Sequence, residues 1–214
     1  VQVRPLTPAA LATELAEHAA RLPLPEGTRL RVAVDGAAAA GTGELADTVA
    51  DALRVQGRAV LRVRAADFLR PASLRLEYGH QDPDAYYDGW LDTNALFREV
   101  FDPLEPGGSG QVLPALRDAR TDRSTRAQPV PLPPGGVLLL DGPLLLGRWL
   151  PLDLTVHLRL TPAALARRTP ADQQWTLPAF ARYEDEVRPS EAADLVVRAD
   201  DQRRPALVVN SPTV

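Results

Sequence analysis

Cysteine and lysine are both missing from the 214 residues. Without cysteine the chain forms no disulfide, no thiolate metal site and no cysteine nucleophile. All 24 basic residues are arginine, so Schiff-base chemistry and a lysine on a phosphate are excluded together. Long apolar runs are also lacking. The longest, Val137–Leu140 continuing through Leu144–Leu146, is interrupted by Asp141 and falls far short of the ~20 residues that span a bilayer. The first residues do not follow the charged, apolar, small-residue order of a signal peptide, so a cytoplasmic location is the expectation. Basic excess is absent, with a net charge of −4. That balance argues against a nucleic-acid or polybasic membrane partner. His18, His80 and His157 do not stand at metal-ligand spacing. No Gly-x-Ser-x-Gly elbow and no G-x-G-x-x-G dinucleotide fingerprint is present.

What is there suffices for a folded domain. Hydrophobic residues make up 45% of the chain and charged residues 24%, enough for one core, with or without a small appended lobe. Thr7-Pro8 caps a helix in which Leu11, Leu15, Ala19 and Leu22 recur at helical spacing, ended by Pro23 and Pro25. Its apolar face fits either packing within the chain or a homodimer contact. Leu30–Val34 reads as a strand, Leu45–Leu53 as an amphipathic helix closed by Gly57, and Ala59–Val63 as a second strand. Strand, glycine loop, helix and strand in that order predict a parallel pair with a right-handed crossover. Thr93–Phe101 reads as a helix, and Val112–Val130 as a β-ribbon. Val137–Leu140 is apolar throughout, as in a strand buried on both faces. Leu154–Leu160 and Leu195–Arg198 are further strands. Helices are expected from Thr161-Pro162 to Arg168 and over Leu177–Val187. The alternation predicts an α/β three-layer sandwich with a mainly parallel sheet.

One loop stands where phosphate chemistry is credible. Gly36-Ala37-Ala38-Ala39-Ala40-Gly41-Thr42-Gly43 follows a strand and opens a helix. Backbone N–H groups at such a turn favour an anion. The phosphate-loop pattern is G-x-x-x-x-G-K-[ST]. Both glycines are correctly spaced, but Thr42 takes the lysine position and Gly43 the Ser/Thr position, and Glu44 follows. Glu44 either lies at a nucleotide site or simply complements the helix dipole of an ordinary strand-to-helix turn.

The surrounding segments resemble the uridine kinase and phosphoribulokinase-like branch of P-loop kinases. The landmarks are Arg31-Val-Ala-Val-Asp-Gly36, Ala66-Asp-Phe-Leu-Arg-Pro71, Asp82-Pro-Asp-Ala-Tyr-Tyr87, Phe101-Asp-Pro-Leu104, Leu139-Leu-Asp-Gly142 and Arg188-Pro-Ser-Glu-Ala-Ala-Asp-Leu-Val-Val197. Their order and spacing run from Arg29 to Pro205. The resemblance implies ATP and Mg²⁺ as cofactors and a small-molecule hydroxyl acceptor as partner. It implies nucleotide binding by Gly36, Ala40, Gly41, Thr42, Gly43 and Glu44. Asp67 matches the base that takes the acceptor's proton, and Asp141 the acid on the metal side. Arg70, Tyr78, His80, Tyr86 and Tyr87 fall in the acceptor-binding stretch. Arg167 and Arg168, with Arg182 beyond, match a lid whose arginines pair phosphates; a basic helix end is the competing reading. Arg120 and Arg123 are weaker candidates to reach the acceptor. The implied organisation is an N-terminal helix over residues 1–25, a kinase-like domain over 26–205 with an acceptor side (67–130) and a short lid (167–182), and a tail over 206–214.

Two functions follow. The first is a kinase acting on a nucleoside or other small hydroxyl metabolite, with weakened ATP use. The second is a pseudokinase that keeps the fold and binds a small molecule or regulates. Phosphoryl transfer rests on positioning and on stabilising the γ-phosphoryl charge, so losing the loop lysine and hydroxyl removes two supports at once.

Overall fold

The computed structural model describes residues 2–209. A seven-stranded sheet organises them. The strands are β1 (Gln2–Pro5), β2 (Leu30–Asp35), β3 (Val60–Arg64), β4 (Val137–Gly142), β5 (Leu154–Arg159), β6 (Leu195–Arg198) and β7 (Ala206–Val209). Their order is β1-β7-β6-β5-β2-β4-β3. β6, β5, β2, β4 and β3 run parallel, while β7 and β1 add an antiparallel edge.

β4 is the most apolar strand, and every one of its residues is buried. Its side chains alternate between two cores, as the period of a strand requires. Val137 and Leu139 join the core under α1 (Pro8–Arg21) and α2 (Thr42–Val55). Leu138 and Leu140 join the opposite core, formed with Phe68, Leu96, Phe101 and Leu132. A third cluster ties α3 (Pro83–Gly89) to α5 (Leu177–Glu186) through Tyr87, Leu144, Leu146, Ala179 and Tyr183. The remaining helix that bears on the site is α4 (Pro162–Arg168), capped by the Thr161 hydroxyl.

The α/β three-layer sandwich is therefore observed. Three expectations change. β2 and β3 are parallel but not neighbours, because the fully apolar β4 inserts between them. The apolar face of α1 is filled within the chain by α2, with Leu11, Leu15 and Ala19 buried. The expected tail is partly a strand: residues 206–209 pair with both β6 and β1, and Leu207 is buried. Residues 210–214 lie outside the described residues. The expected ribbon exists as two short antiparallel pairs, Gln111–Val112 with Val130–Pro131 and Arg117–Asp118 with Arg123–Ser124. The helix expected over Thr93–Phe101 is helical to Leu96 and then widens into a π turn. No described helix is long and apolar enough to cross a membrane.

Leu207→Ala separates a strand from a tail. A strand residue in the core loses about 2–5 kcal/mol on truncation, whereas a tail residue loses almost nothing. Urea unfolding of the two chains measures the difference.

Candidate functional site

The loop after β2 keeps the shape of a phosphate loop through its backbone. Gly36 has φ +146°, and a Cβ there would lie 2.8 Å from the Leu158 carbonyl oxygen, so only glycine fits without movement. Ala38–Ala40 make a 3₁₀ turn, and Gly41 at φ +84° turns the chain into α2. The side chains differ from the lysine and hydroxyl of the phosphate-loop pattern. Thr42 is buried, with its methyl toward Gly36. Glu44 is exposed and folds its carboxylate back toward Gly41.

A cation does reach the base of the loop, from β3. Arg62 Nη2 lies 2.8 Å from Asp141 Oδ1, an ion pair without hydrogen-bond alignment. Its Nε donates to Asp47 Oδ1 at 3.0 Å, and Nη1 donates to the Leu139 carbonyl at 3.1 Å. Nη2 also lies 3.5 Å from the Gly43 carbonyl. A Cβ on Gly43 would stand 3.6 Å from Asp141 Oδ2, so the missing hydroxyl would have faced this carboxylate. Burial raises the pKa of Asp141 despite Arg62.

Magnesium needs a near-octahedral shell of oxygens. Here Asp141 shares its carboxylate with a guanidinium and Gly43 supplies no side-chain oxygen. Among the described residues no group of three or more His, Cys, Asp or Glu stands ready to hold a metal. Asp141, expected on the metal side, is paired with Arg62 through one of its oxygens.

Asp67 lies in the 3₁₀ turn after β3 and is half-buried. Burial raises its pKa, Arg64 opposes that, and the charges of Asp141 and Asp118 add to the rise.

A cavity of about 730 Å³ opens beside the loop, floored by Ala37–Ala39. Its far wall is aromatic. Tyr86 makes edge contacts with Trp90 and Trp175, with ring centroids 5.2 and 5.6 Å apart, and Phe180 lies 6.2 Å away. Burial pushes the Tyr86 hydroxyl up to about 12. Trp90 is oriented by its Nε1–H on the Arg75 carbonyl at 3.1 Å, with the Arg75 guanidinium 4.9 Å over the ring.

The structure brings together only some of the expected acceptor residues. Tyr86 lines the cavity. Tyr87 lies beneath it, bonded to Glu186 at 3.1 Å and covered by Arg182. Tyr78 is 75% exposed, and His80 and Arg70 are also exposed, none of them on the cavity wall. Arg168 borders the cavity, but its guanidinium donates to the Ala199 and Asp200 carbonyls. Arg167 is exposed. Arg182 holds Asp84, Asp88 and Glu186, joining α5 to α3 rather than awaiting a phosphate. Arg120 and Arg123 are exposed on the ribbon.

Trp90, Trp175 and Arg62 were not among the residues singled out from sequence. Two of the three tryptophans fall in the acceptor stretch and the lid, which was a usable signal. Arg62 had none, being one arginine of 24 on an ordinary strand.

Known structures agree on the architecture. A protein described as a possible uridine kinase from Bacillus stearothermophilus aligns at a TM-score of 0.69 with 22% identity, over 86% of this chain and 96% of that one. A candidate fructose transport system kinase from Silicibacter sp. TM1040 aligns at 0.61 with 25% identity, over 88% and 95%. The YGR205w protein aligns at 0.60 with 12% identity, over 96% and 100%. No protein-family model and no curated protein matches the chain. The fold is that of P-loop kinases, distantly related to the uridine and fructose kinase types.

The raised Asp67 has a consequence for stability. Between the ordinary carboxylate pKa and the raised one, the folded chain holds more protons than the unfolded chain. Stability therefore falls as pH rises through that window. Asp67→Asn removes this penalty, so its melting temperature should exceed that of the natural chain at neutral pH. The advantage should vanish below the ordinary carboxylate range. Thermal melts across pH check both arms.

Proposed function

We propose that this chain is a kinase-fold protein that binds a nucleoside-sized aromatic metabolite without transferring a phosphoryl group. The aromatic wall of Tyr86, Trp90, Trp175 and Phe180 over the loop carries the reading. The volume suits a ligand of that size, and flat apolar rings recognise a base by stacking. The loop supports the loss of transfer. A nucleoside triphosphate brings several negative charges, and the loop's surroundings carry Glu44, Asp47, Asp67 and Asp141. Arg62 is already held by two of these carboxylates.

A second reading is ATP- and Mg²⁺-dependent transfer to a hydroxyl of the same ligand, with Asp67 as base. The raised Asp67 favours it, since a base works best when its pKa approaches the working pH.

Calorimetry with uridine and other nucleosides, then with ATP in the presence and absence of Mg²⁺, tests both. The expected outcome is nucleoside binding that Trp175→Ala weakens by about 1–3 kcal/mol, the scale of one stacked ring. ATP heats should be absent with or without metal. Transfer of labelled phosphate from ATP to any nucleoside would overturn the proposal in favour of the second reading.

Arg62 gives an independent check. Manganese titration followed by electron paramagnetic resonance should find no tight site on the natural chain. Arg62→Leu frees Asp141 and should create weak binding that Arg62→Leu/Asp141→Asn abolishes. Tight manganese binding by the natural chain, lost in Asp141→Asn, would restore Asp141 as a metal ligand.

A further inference from the structure

One cation on the wall of the aromatic cavity has no ion-pair partner. Arg148 borders that cavity, half-buried in the segment after β4. Its Nε donates to the Leu144 carbonyl and its Nη2 to the Tyr87 carbonyl, so neutral oxygens hold the guanidinium in place. Nη1 has no hydrogen-bond partner among the described residues and is not fully buried. No carboxylate among them forms an ion pair with it; Asp88 and Asp35 act only through space. Burial lowers the pKa of Arg148 in spite of them, the mark of a cation short of counter-charge. The guanidinium stays protonated all the same.

The rest of the lining does not supply an anion. Arg168 is the other charged residue on the wall, and it too is a cation; both its Nη atoms donate to the Ala199 and Asp200 carbonyls. Thr169, Gln173 and Thr176 are neutral, and both threonine hydroxyls donate to backbone carbonyls. Among the described residues no Asp or Glu lines the cavity. Glu184 lies instead, with His157, on a neighbouring chamber of about 560 Å³ between α4, α5 and the end of β5. Ala37 and Phe180 border both spaces and form the partition between them. Tyr86 adds a neutral donor on the aromatic wall, close enough for the Arg148 charge to act on its hydroxyl.

A flat guest in this cavity therefore meets a cation and a hydroxyl at its polar edge and no acid. We propose that the ligand of the aromatic cavity carries one carboxylate, which accepts from Arg148 Nη1 while its rings lie against Trp90 and Trp175. The inference rests on the aromatic-cavity reading above and names the class of its ligand. One free guanidinium arm matches one negative charge, whereas a phosphate ester brings a second charge and calls for more donors. The apolar surroundings strengthen the pairing relative to water.

The probe is β-naphthoate, and β-naphthamide is its neutral match of nearly equal shape. Calorimetry on the full chain at neutral pH, where naphthoate is ionised, should give it an affinity at least about tenfold above the amide, the scale of a charge-assisted hydrogen bond. Arg148→Gln keeps an N–H donor and removes the charge. With its folding checked by a melting curve, it should erase the advantage and leave the amide's affinity nearly unchanged. The comparison of the two probes on the natural chain stands whether or not that variant folds. Arg168→Gln should keep the advantage, and its loss there instead overturns the assignment to Arg148. Equal affinity for the two probes overturns the inference, and the aromatic-cavity reading survives if uridine or the amide still binds. Absence of binding by both probes and by every nucleoside overturns the two together. Tighter binding of β-naphthyl phosphate than of β-naphthoate overturns the single carboxylate in favour of a phosphate ester.

Discussion

Asp35 is fully buried at the end of the central strand β2, and a carboxylate in that position is tolerable only when its oxygens are engaged. Three groups converge on it. The Leu145 N–H bonds Oδ1 at 2.8 Å, while His157 and Tyr183 share Oδ2. Tyr183 in turn receives the Leu146 N–H. These bonds fix the segment after β4, the strand β5 and the helix α5 to the point where the glycine loop begins. Phe180, one turn before Tyr183 on α5, thereby acquires its place on the walls of both cavities. Burial and the Asp35 charge both raise the pKa of Tyr183, which keeps its hydroxyl protonated and able to donate. Removing the carboxylate would leave the Leu145 N–H, the Tyr183 hydroxyl and the imidazole without this partner inside the fold, so the site's geometry and the fold's integrity share one group.

Around the loop a different balance holds. The arginine nearest its base is engaged within the fold. It is clamped between Asp47 and Asp141 and bonded to the Leu139 carbonyl. A guanidinium suits this use because its planar fork serves several acceptors at once. The pair sits 13% and 9% exposed, so breaking it from either side would strand a largely desolvated charge. The arrangement therefore resists opening toward a ligand, even though Asp141 stands where a metal-side acid would be expected. Arg168 and Arg182, expected in the lid, also have partners within the fold. One holds the Ala199–Asp200 carbonyls, and the other bolts α5 to α3.

Much of the architecture was legible because it is carried by local pattern. The unbroken apolar run of β4, the proline-started helices and the glycine spacing of the loop each signal their element without distant partners. β7 was missed because four residues near a chain end carry too little pattern to separate a strand from a tail, and its pairing with β1 and β6 is a tertiary fact. The position of β4 between β2 and β3 is likewise set by packing on both faces rather than by chain order. At the site, sequence order singled out Asp67, Tyr86 and the loop. It could not single out Arg62, whose partners come from α2 and β4, nor the buried pairing of His157 with Asp35, which joins two strands distant in the chain. Tyr78 and His80 were drawn in by proximity along the chain and stand in solvent at the turn before α3.

The path of the loop rests on contacts of its own backbone and small side chains. Its path is fixed by Gly36 against the Leu158 carbonyl, by Gly41 at positive φ, and by Thr42 packed beneath. None of these contacts involves a phosphate. Thr42, at the lysine position of the pattern, is itself one of these packing contacts, and Gly43 adds no side chain. What the preserved shape still does is mechanical. Ala37–Ala39 floor the aromatic cavity, and Ala37 separates it from the chamber beside His157. Glycines and alanines suffice for a partition of this kind, and they make up most of the loop.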